Sequence, residues 1–123
     1  MNDEFSPLLP YANIEIQESG LPVNQQYDDP YFSRHGGLDE TRHVFLEGNR
    51  LSERWQKRDC YVIGETGFGT GLNFLTTWQA WEQQNCRGWL HFISTELHPI
   101  RLEQLSQLHQ QWPELSEYAA QLQ

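Results

Sequence analysis

The sequence is short of cysteine, of basic residues and of long apolar runs, and each shortage closes off a class of function. Two cysteines in 123 residues, Cys60 and Cys86, supply neither a disulfide framework nor the close spacing of a zinc site. Eight Lys and Arg stand against seventeen Asp and Glu, a formal net charge of −9. That is the wrong sign for a free-standing module that grips nucleic acid through its phosphates. No stretch approaches the roughly 20 apolar residues that span a bilayer, and the opening residues Met1 to Pro7 carry no basic start and no apolar run. The expectation is a cytoplasmic protein with no metal and no membrane partner.

What is present is material for a core. Hydrophobic residues make up 37% of the chain and aromatic residues 13%, five of them Trp, which fits one compact domain or part of one. Six of the eight basic residues (Arg34, Arg42, Arg50, Arg54, Lys57 and Arg58) fall between positions 34 and 58. This stretch suits either a solvated helical surface or a face toward an anion.

Residues 13–17 alternate polar and apolar, and after Glu18-Ser19-Gly20 the chain resumes with Leu21-Pro22-Val23, which predicts a short hairpin. Asp28-Asp29-Pro30 and Gly36-Gly37 act as breaks. A helix is predicted over Leu38 to Glu47 with Gly48 as its stop, followed by a second one capped by Asn49 and running to Lys57. Cys60 to Ile63 is a β-rich apolar run, Leu72 to Gln84 has helical spacing, and Trp89 to Ile93 is a second apolar run. Pro99 then reads as the first residue of a helix from Ile100 to Trp112, and Pro113 as the start of another over Glu114 to Leu122. The unit is β-α-β-α, hence two parallel strands joined by a right-handed crossover. Such strands need covered faces and paired edges, so the chain is expected to be incomplete. Residues 1–33 form a hairpin and lead-in segment, and residues 34–123 the first part of the main domain.

Between the first strand and its helix lies Glu65-Thr66-Gly67-Phe68-Gly69-Thr70-Gly71. A dinucleotide fingerprint requires a glycine at 72, where Leu72 stands, and a P-loop starting at Gly64 requires Lys where Thr70 stands. What remains is the acid-x-Gly-x-Gly-x-Gly loop of Rossmann-like methyltransferases, with an ordinary tight turn as the alternative. Its glycines admit unusual dihedrals and close ligand approach, and the helix behind offers free N–H groups and a positive dipole end. Glu65 favours an ammonium group over a pyrophosphate. Glu96, at the end of the second strand, suits two ribose hydroxyls, since ligands of α/β sheets lie beyond the carboxyl ends of strands.

Other candidates have plainer explanations. Asp28, Asp29 and Glu40 read as turn and helix-start residues rather than a metal cluster. His35, His43, His91, His98 and His109 show no metal spacing. Trp78, Trp81 and Trp112 sit at core positions. Tyr31-Phe32, an aromatic pair between two breaks, is placed to lean over a purine or over a cofactor.

Four segments together resemble one family. They are Asp28-Asp-Pro-Tyr31-Phe32-Ser33, Gly37-Leu-Asp-Glu40-Thr-Arg-His-Val-Phe45-Leu46, Glu65-Thr-Gly-Phe-Gly-Thr-Gly-Leu-Asn73-Phe-Leu75 and His91-Phe-Ile-Ser-Thr-Glu96. The family is that of the bifunctional tRNA 5-methylaminomethyl-2-thiouridine biosynthesis proteins, in their N-terminal methyltransferase domain, and the resemblance runs from about Ile14 to the end. It implies S-adenosyl-L-methionine as cofactor and tRNA with a modified wobble uridine as partner. The implied reaction is methylation of the 5-aminomethyl group of 5-aminomethyl-2-thiouridine. FAD is implied only for a C-terminal domain outside this sequence. By position, Glu65, Gly67, Gly69, Gly71, Asn73 and Glu96 inherit cofactor contacts, with Tyr31 and Phe32 added from the N-terminal motif, which Glu40 also matches. Members commonly carry a basic residue where this chain has Leu97. An adenine-binding acid and an Asp-Gly-Phe-Ala-Pro segment are implied beyond Gln123, so no catalytic residue is assigned within the chain. The alternative is a non-catalytic remnant with at most weak S-adenosylmethionine binding.

Overall fold

The computed structural model describes residues 10–32 and 37–123. The Met1 to Pro7 start, the boundary expected at 33/34, and Arg34, His35 and Gly36 lie outside the described residues. Two sheets organise the described residues. The first is antiparallel, with strands β1 (Ile14–Ile16), β2 (Pro22–Asn24) and β3 (Asp29–Pro30) in that order. The predicted hairpin is therefore present, with Ile14 opposite Asn24 and Ile16 opposite Pro22. The expected break at Asp28-Asp29-Pro30 instead adds a two-residue strand. Pro30 tolerates this because it lies at the sheet edge, where a missing N–H costs no ladder bond.

The second sheet consists of β4 (Cys60–Thr66) and β5 (Trp89–Thr95), parallel, with Cys60 opposite Trp89 and Thr66 opposite Thr95. Between them runs helix α3 (Leu72–Gln83), so the β-α-β crossover stands as expected and the fold class is α/β. Both strands extend past their apolar runs to the polar ends Glu65-Thr66 and Ser94-Thr95. One face of this pair, carrying Tyr61, Ile63, Leu90 and Phe92, packs on Leu51, Trp55 and Trp81. Trp55 is 1% exposed and meets Trp81 edge-on at 5.3 Å. The other face leaves Val62, Trp89 and Ile93 exposed.

The helical segments depart from expectation at their ends. The first helical run is α1 (Gly37–Thr41) continued by a π-helical turn over Arg42–Glu47. There the Gly48 N–H reaches back five residues to the His43 carbonyl. Asn49 does not cap the next helix; its side chain donates to the Phe45 carbonyl, and α2 is only Leu51–Trp55, entered from Arg50 in the left-handed region. Pro99 is not helical either. Ile100 is buried and Arg101 extended, so α4 runs only over Leu102–His109. Pro113 does start a new turn, a 3-10 segment (Pro113–Leu115) leading into α5 (Ser116–Leu122). Leu38, Leu72, Leu75, Trp112, Leu115 and Ala119 form one core, and Ala12, Ile14, Ile100 and Leu108 another that ties β1 to α4. No helix among the described residues is long and apolar enough to cross a membrane.

Candidate cofactor-binding site

The glycine loop leaves the carboxyl end of β4 and turns directly into α3. Gly67, Gly69 and Gly71 all take positive φ, at +82°, +57° and +79°, a region that costs any residue with a Cβ roughly 1–2 kcal/mol. A Cβ on Gly67 would meet nothing within 4 Å, so the space above it is open to a ligand. The loop is tied to β5: the Gly67 and Phe68 amides both donate to the Thr95 carbonyl, at 2.8 and 3.0 Å. The first bond of α3 runs from the Leu75 amide to the Gly71 carbonyl, and the Leu72 amide donates to Thr70 Oγ1 at 3.3 Å, which leaves the Asn73 and Phe74 amides of its first turn for other acceptors.

Two carboxylates flank this loop. Glu65 is half-buried at the end of β4 and accepts from Asn73 Nδ2 and from Ser94 Oγ, each at 2.8 Å. It therefore clamps the start of α3 to β5. Glu96, one residue past β5, accepts from the Gly69 amide at 2.7 Å and from the His98 amide at 3.3 Å. Tyr31 lies over Gly69, whose Cβ would come 3.4 Å from its ring. Burial pushes the Tyr31 phenol above its ordinary pKa; a hydrogen bond from Asn24 works against this, and the nearby Glu96 charge adds to it.

The structure thus gathers Tyr31, Glu65, Gly67, Gly69, Gly71, Asn73 and Glu96 around one loop. Phe32 is not with them: it packs edge-on against Trp112 at 5.4 Å and joins the helical core. Two histidines that sequence reasoning left without a role are at the site. His98 stacks on Tyr27 and, with Tyr31, Asp29 and Glu96, lines a cleft of about 250 Å³; its Nδ1 is buried without a hydrogen-bond partner among the described residues. His109, on α4, is 4% exposed and its Nε2 lies 2.7 Å from the Thr70 carbonyl inside the loop. No spacing rule flags either one, because their roles arise from tertiary contacts. The exposed His91 and the surface pair His43–Glu47 stay away from the loop.

Burial lowers the His109 pKa from its ordinary value, against a smaller raising effect of the Thr70 carbonyl. The folded state then binds fewer protons than the unfolded one as pH falls below 6.5. Its stabilising contribution is present above that pH and is lost as pH falls through the folded-state value. Urea midpoints measured from pH 7.5 downward are expected to drop more steeply for the native chain than for His109→Gln. The excess should be at most about 1.4 kcal/mol per pH unit; parallel curves would contradict it.

Among the described residues of the basic stretch, three arginines are engaged away from the loop. Arg42 donates to Gln79, Arg50 pairs with Glu53, and Arg54 reaches the Asn49 carbonyl. A hollow of about 360 Å³ between these segments and the flank of α3 shares no lining residue with the glycine loop. Among the described residues no group of three or more His, Cys, Asp or Glu is arranged to hold a metal.

A glycine loop joining a parallel strand to a helix, with acids at both strand ends, defines the class: an α/β fold with a parallel sheet, compatible with part of a Rossmann-like domain. The comparisons agree with the family resemblance read from the motifs. Over 118 residues the chain is 51% identical to the tRNA 5-methylaminomethyl-2-thiouridine biosynthesis bifunctional protein MnmC of Azoarcus sp. (strain BH72), covering 95% of the chain and 18% of that protein. It is 50% identical over 121 residues to the MnmC of Vibrio campbellii, covering 91% of the chain and again 18% of the relative. The chain thus spans 18% of the length of these relatives. A crystal structure of MNMC2 from Aquifex aeolicus superposes with a TM-score of 0.62 at 22% identity, over 87% of this chain and 39% of that one; it attests the fold. No family model matches the chain.

Proposed function

We propose that the chain holds S-adenosyl-L-methionine at its glycine loop and serves the methylation of the 5-aminomethyl group of 5-aminomethyl-2-thiouridine at the tRNA wobble position, in the cytoplasm. The observation that carries this reading is the pair of carboxylates, Glu65 and Glu96, flanking a three-glycine loop at the ends of two parallel strands. A pyrophosphate would meet two negative charges there. An ammonium and a ribose diol would meet acceptors.

The residues fit the cofactor part by part. Glu65 accepts from the methionyl ammonium, while the first turn of α3 offers amides and its dipole to the carboxylate. Glu96 takes the ribose hydroxyls, and Tyr31 covers the loop at Gly69. Bound there, the cofactor supplies an activated methyl group; the chain's own task is to hold and orient it. The MnmC relatives, named for tRNA 5-methylaminomethyl-2-thiouridine biosynthesis, support tRNA as the partner. On the same reading, residues 1–33 are a lead-in and residues 34–123 the first part of the methyltransferase domain.

Isothermal calorimetry tests this. Saturable, one-to-one binding of S-adenosylmethionine is expected, and Glu96→Ala should weaken it about tenfold, the scale of one lost charge-assisted hydrogen bond. Heat with NADH but none with S-adenosylmethionine would replace this reading by a nicotinamide one.

A further inference from the structure

We propose that His109 is a positioning residue for the cofactor loop, holding the Thr70 carbonyl so that the Thr70–Gly71 peptide keeps the first turn of α3 turned toward the ligand. The proposal rests on the S-adenosylmethionine reading above for what the ligand is, and on geometry for the rest.

A carbonyl can only accept, so His109 Nε2 must carry the proton in its 2.7 Å contact with Thr70. His109 Nδ1 is then the acceptor in the neutral ring, and Gln123 Nε2 lies 2.8 Å from it as donor. Gln123 Oε1 in turn accepts from Ser106 Oγ at 2.9 Å. The bonds run in one direction, from Ser106 through Gln123 and His109 to Thr70. Burial favours the same neutral ring.

The Thr70 carbonyl is where the chain changes from loop to helix. Had it taken the Phe74 amide, α3 would begin a residue earlier. Instead the helix begins with Leu75 donating to Gly71, which sits in the left-handed region as N-cap. The carbonyl and N–H of one peptide point in opposite directions, so a carbonyl fixed on His109 also fixes the Gly71 amide, which bonds to the Phe68 carbonyl at 3.0 Å. Thr70 is itself buried, at 5% exposure. Without the imidazole its carbonyl would be left without this partner in the interior, a state that a shift of the loop would relieve.

The test uses the full 123-residue chain. Nitrogen-15 shifts of the imidazole, recorded without cofactor, are expected to show the Nε2-protonated ring and slow exchange of the Gly71 amide; an Nδ1-protonated ring overturns the proposal. In calorimetry, His109→Leu is expected to lose about tenfold in S-adenosylmethionine affinity, whereas His109→Gln, which keeps a donor near the same place, stays within about threefold. Equal affinity in all three proteins, or equal loss in both variants, overturns it. If the leucine variant does not fold, the ring tautomer decides. If the unaltered chain binds no S-adenosylmethionine, the functional reading fails while the tautomer and the Gly71 exchange rate still test His109.

Discussion

Gly88→Ala is expected to destabilise the chain by about 3 kcal/mol or more, although Gly88 lies outside the glycine loop and carries no side chain to lose. Its φ is +93°, and a Cβ built there would lie 2.1 Å from the Asp59 carbonyl oxygen. Roughly 1–2 kcal/mol comes from the positive φ, and overpacking against a rigid neighbour adds roughly 1–3. Asp59 cannot yield cheaply, because its carbonyl accepts the Trp89 amide at 2.9 Å, next to the first pair of the parallel sheet. That sheet sets Glu65 opposite Ser94 and brings Glu96 to Gly69. A shifted register would therefore damage the site from its far end. Gly64→Ala is the matched control: it lies in β4, has no positive φ, and its Cβ would meet nothing within 4 Å. It should change stability by less than about 0.5 kcal/mol. Urea denaturation of both variants distinguishes the cases, and similar midpoints for the two would show that the close approach at Asp59 is not a constraint.

The contrast between these two glycines also shows what could be read from sequence. Gly67, Gly69 and Gly71 announce themselves because their alternation falls between an apolar strand and a helix with regular spacing, and all three take the positive φ that makes glycine useful. Gly88 is equally strained but stands alone before a strand, with no pattern to mark it. The strands outrun their apolar runs because β-propensity fades at Glu65 and Ser94, while the ladder continues to Thr66 and Thr95 through pairing that only the partner strand provides. Pro99 looked like a helix start on local chemistry. Burial of Ile100 against Ala12, Ile14 and Leu108 keeps that stretch extended and delays α4 to Leu102. The π-helical turn after Thr41 and the short strand at Pro30 have no local signature of comparable strength. Tyr31 and Phe32 were one aromatic pair in sequence, and packing separates them. His98 and His109 became visible only when the fold carried them to the loop.

Glu65→Ala is expected to weaken S-adenosylmethionine binding about a hundredfold, more than any other single carboxylate change at the loop. Three contributions act together. On the proposed reading the ammonium loses a charged acceptor, worth roughly 1.5–3 kcal/mol. Asn73 Nδ2 and Ser94 Oγ each lose an acceptor now 2.8 Å away. The start of α3 then loses its clamp to β5, so the amides offered to the ligand's carboxylate are less well placed. Glu65→Gln separates charge from geometry. Its amide retains the shape and one acceptor oxygen but presents an N–H₂ to the other partner, and an intermediate loss of about tenfold is expected. Asn73→Ala removes only one clamp bond and should cost less than either. Titration calorimetry on the three variants reads this order directly. Binding by Glu65→Ala within twofold of the unaltered chain would mean that the cofactor's ammonium is held elsewhere, and that Glu65 serves only to join the helix to the sheet.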